Sequence, residues 1–328
     1  MEKKGIAVAG SILADVINTV SKYPKEGELA QIYKVSRAVG GCVPNVAIDL
    51  KRLCPDLDVM AAGRISNDDN GKYVLNILCK NGVNTDNITI TDDNKTSFTQ
   101  VISVEGGQRT FFTFPGASAD FDYDDIDFGT LCPKMFHLGY FLLLKKIDDG
   151  DGLKILKTAS EKGIKTSIDL VSENSDRYKS VLPCLPFTDY LIVNELEGGR
   201  LAGIEPTPEN IPQTAKELIN LGVREKVIIH YREGSVCCNK SGEITFLESF
   251  NLPEGYIKGT TGAGDAFCAG ALLGIYNGLS DTEILNFGRV AAAMSLAAAD
   301  ATSGVIDIKN LKKDANALKG NNYACKLK

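Results

Sequence analysis

The chain has 328 residues, 44% of them hydrophobic, which is enough to form the core of one large domain. Its 42 acidic and 36 basic residues give a net charge of -6, and no basic stripe indicates a nucleic-acid or membrane-surface partner. No apolar run is long enough to cross a bilayer and the N-terminus lacks a signal-peptide core, so we expect a cytoplasmic protein. Nine scattered cysteines without a C-x-x-C pair are typical of reduced core thiols and do not indicate structural zinc.

Apolar runs of strand length alternate with longer amphipathic segments along most of the chain. Strands are predicted, in chain order, at residues 6–9, 59–62, 135–138, 166–170, 190–193 and 226–230. Helices are predicted at residues 44–53, 71–80, 151–161 and 211–221. Fully apolar strands separated by helices predict a three-layer α/β/α fold with a mostly parallel central sheet.

Two segments, residues 12–35 and 96–115, depart from this order because they alternate apolar and polar residues with no helix between the strands. We expect them to pair as a small β-sheet inserted in a single domain that spans residues 1–328. Such a sheet, projecting over the main one, would act as a lid that excludes water from a reactive site. The alternative is a β-extension used only for packing or dimerisation, and the two roles can coexist.

Residues 259–270, which read G-T-T-G-A-G-D-A-F-C-A-G, carry the most informative chemical pattern. Their tiny side chains leave backbone amides bare at the start of an apolar helix, where donors and the positive dipole end face an anion. Asp265 follows directly, and its carboxylate is suited to take a proton from an attacking hydroxyl. A phosphate cradle beside a base predicts phosphoryl transfer, although a glycine-rich turn needed only for close packing has the same composition.

Two better-known glycine motifs do not explain this segment. The chain contains no G-x-x-x-x-G-K-[ST] loop, so it lacks the usual P-loop for nucleotide phosphates. Phe267 occupies the third glycine position of the dinucleotide fingerprint that Gly262 and Gly264 would begin. A Rossmann dehydrogenase is therefore disfavoured.

The same segment resembles the signature of the ribokinase-like carbohydrate kinases, also called the phosphofructokinase-B type. Further matches follow in the family's order: residues 10–15 (G-S-I-L-A-D), 40–47 (G-G-C-V-P-N-V-A), 63–71 (G-R-I-S-N-D-D-N-G) and 194–197 (N-E-L-E). In the third, Ser66 stands where the family has a glycine. The resemblance extends over nearly the whole chain and implies a ribokinase-like fold and an ATP-dependent kinase that phosphorylates a hydroxyl of a small sugar or sugar derivative.

The resemblance also implies roles for individual residues. Asp265 would be the catalytic base, and the anion hole would consist of the amides of three neighbours. These neighbours are Gly262, Ala263 and Gly264. The sugar-binding residues would be Asp15, Gly40, Gly41 and Asn45. A carboxylate accepts from diols, an amide both donates and accepts, and glycines let the backbone approach the ligand. Outside this context, Asp15 would be a turn former and Asn45 a helix cap.

The nucleotide side is implied by a second set of positions. Asn194 and Glu197 would hold Mg²⁺ through water, because magnesium dehydrates reluctantly. The residues that would contact ATP are Asn194, Thr261, Arg232, Gly234 and Arg289. The local alternatives are a helix cap for Asn194, a solvated Glu197 and surface positions for the two arginines.

Three further positions bear on specificity. Arg109 opens a lid strand and could pair with a substrate carboxylate or phosphate, the alternative being an exposed arginine after a glycine turn. Gly259 stands where the family commonly has an acidic residue that helps to hold potassium, which puts a monovalent-cation requirement in doubt. The apolar segment 136–144 lacks the acidic sugar ligand of some ribose-specific members and argues against ribose.

Some assignments stay open at this level. Asp169 ends a predicted strand where the family often has an acidic residue, but the following residues depart from the pattern. The two histidines, His137 and His230, lie on apolar strands and are interpreted as core or strand-end residues. A nucleoside kinase of the same family and a catalytically inactive sugar- or nucleotide-binding regulator are the alternative functions. The family resemblance also implies a homodimer formed through the lid.

Overall fold

The computed structural model describes residues 2–104, 109–173 and 175–310. The strands within these residues are β1 (Ile6–Ala9), β2 (Leu13–Val20), β3 (Ile32–Gly40), β4 (Val59–Ser66), β5 (Asn84–Thr91), β6 (Ser97–Val104), β7 (Arg109–Phe114), β8 (Met135–Phe141), β9 (Lys165–Leu170), β10 (Tyr190–Asn194), β11 (Lys226–His230), β12 (Gly234–Asn239) and β13 (Ile244–Glu248). The α-helices are α1 (Cys42–Leu53), α2 (Asp69–Lys80), α3 (Gly152–Glu161), α4 (Glu195–Ala202), α5 (Ile211–Asn220), α6 (Ala263–Tyr276) and α7 (Asp281–Ser295). In this part of the chain, no helix is both long and apolar enough to cross a membrane.

The main sheet has the strand order β13-β12-β11-β10-β9-β8-β1-β4-β5. In this spatial order, neighbouring strands from β11 through β10, β9, β8, β1 and β4 to β5 pair in parallel. Strands β12 and β13 add an antiparallel edge. Successive side chains of a strand point to opposite faces, so Ile6 and Val8 pack with α1, α2, α6 and α7. Ala7 and Ala9 pack on the other face with α3, α4 and α5. The predicted three-layer fold with a mostly parallel sheet is confirmed.

A separate small sheet has the order β3-β2-β6-β7. It joins β2 and β3 from the first predicted segment to β6 and β7 from the second, with β2 and β6 paired in parallel. The prediction of a small sheet built from two distant segments is therefore confirmed, although β3 continues beyond residue 35 to Gly40. Arg109 begins β7 opposite Ser103, but its side chain lies outside the described residues.

The carboxyl ends of four neighbouring parallel strands meet beside the start of α6. Strands β8, β9, β10 and β11 lie side by side in the sheet, and Tyr140, Asp169, Asn194 and His230 lie at or next to their ends. In open α/β sheets, ligands bind outside the carboxyl ends of the strands. This edge of the sheet is therefore the place where the polar groups of a site come together.

Candidate active site

A cavity of about 180 Å³ lies at this edge of the sheet. Its lining includes the strand-end residues Tyr140, Asp169, Asn194 and His230. The sequence-predicted residues Asp265, Gly262, Gly264 and Glu197 line the same cavity. The structure thus brings the base and the adjoining glycine turn together with the pair expected to hold magnesium, which lies more distant in the sequence.

The start of α6 is open. Gly262 is the residue before the helix and has a φ of 81°, and a Cβ there would lie 2.5 Å from the Cβ of Ala301, so only glycine fits. No described side chain caps this helix, and Gly264 is exposed. The first amides of a helix have no partner within the helix. The Ala263 amide donates to the Thr260 carbonyl at 3.4 Å, whereas the Gly262 and Gly264 amides have no hydrogen-bond partner among the described residues. These amides and the positive end of the helix dipole suit an anion.

Asp265 lies in the first turn of α6 with 7% of its surface exposed. Asn45 Nδ2 and the Tyr140 hydroxyl both donate to its Oδ2, at 2.9 and 3.0 Å. Its Oδ1 receives no hydrogen bond from the described residues. Burial, reinforced by the charge of Asp169, raises the pKa of Asp265 to about 7, whereas the two donors oppose that rise. A carboxylate with this pKa is half ionised near neutral pH and can accept a proton there.

Tyr140 is held in position by its own backbone. Its φ is 61°, an uncommon value for a residue with a side chain, and Leu142 close by has a φ of 77°. The Tyr140 amide donates to Asp169 Oδ1, which fixes this conformation. Asp169 Oδ2 lies 3.2 Å from His137 Nε2 and accepts from it in the tautomer that carries a proton on Nε2. His137 is fully buried, as the interpretation of a core histidine requires.

Asn194 and Glu197 form a closed hydrogen-bonded group at the start of α4. The Asn194 side chain accepts from the Glu197 amide and the Glu197 carboxylate accepts from the Asn194 amide, so the helix-cap alternative for Asn194 is correct. Ser172 Oγ and Asn194 Nδ2 both donate to Glu197 Oε1, each at 2.8 Å. Glu197 is buried rather than solvated, and burial raises its pKa to about 7. Its Oε2, bonded to one amide, keeps a lone pair for a further donor such as a metal-bound water.

A second cavity, of about 580 Å³, lies on the other side of the glycine turn. Ala263, Gly264 and His230 line it, and the last two also line the smaller cavity. Its remaining walls are mainly apolar and include Phe250, Ile257, Leu252, Ala292, Ala293 and Leu296. A cavity with mainly apolar walls that reaches a helix N-terminus has the chemistry expected for a nucleotide.

The predicted nucleotide contacts mostly lie on this second cavity. Arg232, Gly234 and Arg289 line it. The Arg289 guanidinium lies 4.5 Å from the Phe250 ring centroid and donates to the Glu248 carbonyl. Gly234 also has a packing reason, since a Cβ there would lie 2.6 Å from the Leu247 carbonyl oxygen. Thr261 is exposed in the turn, and its neighbour Thr260 is the lining residue.

The predicted sugar-binding residues lie where β2, β3 and α1 meet. The Cβ position of Gly40 lies 2.9 Å from Asp15 Oδ2, and that of Gly41 lies 2.5 Å from the Ser11 carbonyl oxygen. Gly41 has a φ of 88° and precedes α1, and Asn45 follows one turn later. Asn45 connects this corner directly to Asp265, and its Oδ1 has no partner among the described residues.

His230 lies between the two cavities. Its ring packs on Phe267 at 4.8 Å between centroids, and the Cβ position of Gly264 is 3.5 Å from its Cε1. Burial lowers its pKa to about 4, so the ring is neutral at neutral pH. It therefore adds no positive charge to the anion-binding end of α6.

Sequence reasoning missed three of the residues in this site. Tyr140 lies in the segment 136–144, which the sequence analysis treats as apolar, and Ser172 is among the residues after Asp169 that depart from the family pattern. His230 is interpreted only as a core or strand-end residue. The one signal that could have found them is position, because all three lie at or just after the carboxyl end of a predicted parallel strand.

Comparison with solved structures defines the class of fold. An Arabidopsis thaliana ribokinase, solved in complex with ribose and ATP, superposes with a TM-score of 0.80 at 23% sequence identity. The match covers 98% of this chain and 100% of that chain. The fold is therefore ribokinase-like.

The sequence defines the family. A model described as pfkB family carbohydrate kinase matches residues 3–308, so the chain belongs to the pfkB family and is a sugar kinase. A ribokinase from Arabidopsis thaliana is 26% identical over 317 residues, covering 94% of this chain and 80% of that protein. A 5-dehydro-2-deoxygluconokinase from Clostridium perfringens is 23% identical over 297 residues, covering 87% of this chain and 86% of that protein. Relatives named for different sugars leave the particular sugar open.

Proposed function

We propose that this protein transfers the terminal phosphoryl group of ATP to a hydroxyl of a small sugar or sugar derivative, with Asp265 as the base. The observation that carries the proposal is the joint exposure of Asp265 and the uncapped start of α6 to one cavity. A base and an anion-binding helix end are the two parts that in-line phosphoryl transfer requires of a protein.

Asp265 has one oxygen engaged and one available. Asn45 and Tyr140 hold Oδ2, which orients the carboxylate and leaves Oδ1 to accept the proton of the attacking hydroxyl. A pKa of about 7 suits this role, because the group is both ionised and basic at neutral pH. The amides of Gly262, Ala263 and Gly264 are the proposed anion hole for the charge that grows on the transferred group.

The nucleotide is proposed to lie in the 580 Å³ cavity, with its base against the apolar wall and its phosphates toward α6. Arg232, Gly234, Arg289 and Thr261 would surround it. Asn194 and Glu197 would hold Mg²⁺ through water, since their own hydrogen bonds leave a lone pair of Glu197 Oε2 available. When bound, the ion would neutralise phosphate charge.

The sugar is proposed to lie between Asp265 and the corner formed by Asp15, Gly40, Gly41 and Asn45. The unpartnered Oδ1 of Asn45 supports this placement, because a buried amide oxygen needs a donor and a sugar hydroxyl supplies one. Arg109, at the start of β7, remains proposed as the partner of an anionic substrate group.

The test is a substrate screen joined to one variant. ADP release would be measured with ketohexoses, aldopentoses, sugar acids, sugar phosphates and nucleosides. Asp265→Asn should lower kcat on the best substrate by about 10²- to 10⁴-fold, the usual worth of a general base, while ATP binding is retained. Turnover by Asp265→Asn at the parent rate would refute the assignment of the base. An inactive parent that binds sugar and ATP would instead favour a regulator.

We also propose that two copies of the chain pack through the lid. Val35 and Phe112 are each 62% exposed on the small sheet, and Phe111 is 58% exposed. Exposed apolar groups of this kind on an open sheet are typical of an interface. Sedimentation analysis should find a dimer that Phe112→Asp dissociates and Ile90→Asp does not, Ile90 being a 56% exposed control on the main sheet. A monomeric parent would overturn this proposal.

A further inference from the structure

Three groups of different chemistry meet beside the 180 Å³ cavity, and two of them, Asp169 and Cys268, line it. His137 Nε2 lies 3.2 Å from Asp169 Oδ2 and 3.7 Å from the Cys268 sulfur, and all three ligand atoms lie within 4.8 Å of one another. A tetrahedral zinc ion with ordinary bond lengths has N, O and S ligands roughly 3.3 to 3.7 Å apart. The N–S spacing in the structure falls within that range, the N–O spacing lies just below it, and the O–S spacing is at most 4.8 Å, so a small movement of the side chains would complete a zinc site.

The outer contacts of this group also suit a metal. His137 Nδ1 lies 2.9 Å from Ser167 Oγ, so the ring can donate there and keep Nε2 unprotonated for an ion. Asp169 Oδ1 accepts from the Tyr140 amide, which leaves Oδ2 as the ligand oxygen. Outer partners of this type fix the orientation of metal ligands.

The group can be reached from the cavity, and further carboxyl groups lie near it. Asp169 and Cys268 both line the cavity, together with the carboxyl groups of Asp265 and Glu197. Among the described lining residues there is no lysine or arginine to balance them. An imidazole with a thiolate selects zinc over magnesium, which prefers oxygen ligands.

We propose that His137, Asp169 and Cys268 form a binding site for zinc, and that zinc bound there inhibits the kinase. Binding displaces the thiol proton of Cys268 to solvent and leaves the fourth ligand position toward the cavity. The ion then holds a divalent charge beside Asp265 and occupies Asp169 Oδ2, whose negative charge it offsets. Both effects oppose proton transfer to Asp265 without involving the nucleotide cavity.

The first test measures metal binding alone, without turnover. Co²⁺ is used as a spectroscopic substitute for zinc, since a cobalt–thiolate bond produces a charge-transfer absorption. The band should appear on titration of the parent and of Cys79→Ser, which removes an exposed thiol, and should be absent from Cys268→Ser. A band that is missing from the parent, or lost in Cys79→Ser, overturns the proposal.

The second test measures inhibition of the kinase reaction by zinc at saturating magnesium and nucleotide. Zinc should inhibit the parent and Cys79→Ser equally, and Cys268→Ser should need at least about tenfold more zinc for the same inhibition. His137→Asn serves as a second variant with the same expected loss, should Cys268→Ser fold poorly. Equal zinc sensitivity in a folded variant and the parent overturns the proposal. The cobalt band does not depend on turnover, so its outcome is separate from that of the proposed kinase reaction.

Discussion

The hydrogen bond from Tyr140 to Asp265 lowers the pKa of the proposed base, against the larger rise that burial causes. A donor to a carboxylate stabilises the charged form, so removing it raises the carboxyl pKa. Tyr140→Phe keeps the ring but deletes the hydroxyl that lies 3.0 Å from Asp265 Oδ2. The remaining donor, Asn45, still orients the carboxylate.

The size of the effect follows from the strength of such a bond. A hydrogen bond to a charged group contributes about 1.5 to 3 kcal/mol, and one pKa unit corresponds to about 1.4 kcal/mol. Starting from a pKa of about 7, the acid limb of the kcat/KM profile should therefore move up by roughly one to two pH units. At about pH 6 the variant should be slower than the parent by roughly 10- to 100-fold, and the difference should vanish at high pH.

The assay is the pH dependence of kcat/KM for the sugar, with single-turnover rates to exclude a limit set by product release. Tyr276→Phe is the matched control, because its phenol oxygen accepts from the Gly5 amide and does not contact Asp265. Its acid limb should coincide with that of the parent. An unchanged or lowered limb in Tyr140→Phe would show that this phenol does not tune the base.

Two further predictions concern a buried carboxyl group and a missing one. Asp49 on α1 is fully buried, neither of its oxygens has a partner among the described residues, and burial raises its pKa well above the ordinary value. The unfolded chain ionises first as pH rises, so this group lowers stability progressively above its unfolded pKa. Asp49→Asn should therefore stabilise the protein in urea unfolding at about pH 8, and less at about pH 5. The control, Asp189→Asn, removes a buried carboxylate bonded to Thr166 and Arg224 and should destabilise the protein. The opposite order of the two stabilities would refute the argument. At Gly259 no carboxylate is available for a cation, so turnover should change little when potassium is replaced by a large organic cation, and a strong potassium requirement would contradict this.

The positions of the glycine turn and of many strands and helices were predictable because they depend on neighbouring residues, whereas β5, β12 and β13 were not predicted. The predicted strands at residues 6–9 and 226–230 match β1 and β11, and the predicted helices differ from the observed ones by a few terminal residues. Gly262 was identified from composition, and its φ of 81° and its approach to Ala301 explain why no other residue fits. The two segments that form the small sheet were recognisable from their alternating pattern.

Contacts between distant segments were not predictable in the same way. Asn45 and Asp265 are 220 residues apart, and Tyr140 and Asp265 are 125 apart, yet both pairs form hydrogen bonds. The hydrogen bond of Tyr140 to Asp265 depends on an unusual backbone conformation at the end of β8, which cannot be predicted from the residue types there. The sequence left open a solvated position for Glu197. In the structure its side chain is buried and hydrogen-bonded to Ser172.

Local residue order therefore sufficed for the fold class and the family, because hydrophobic period and glycine conformation act over a few residues. The properties of the site came from the packed sheet. The register of β8 against β9 sets His137 opposite Ser167, and α6 brings Cys268 to the same point. Burial at this point raises the pKa of Asp265 and lowers that of His230. The reason is that the free energy of a charged group depends on the water it loses and on the neighbouring groups, and only the folded chain brings those groups near.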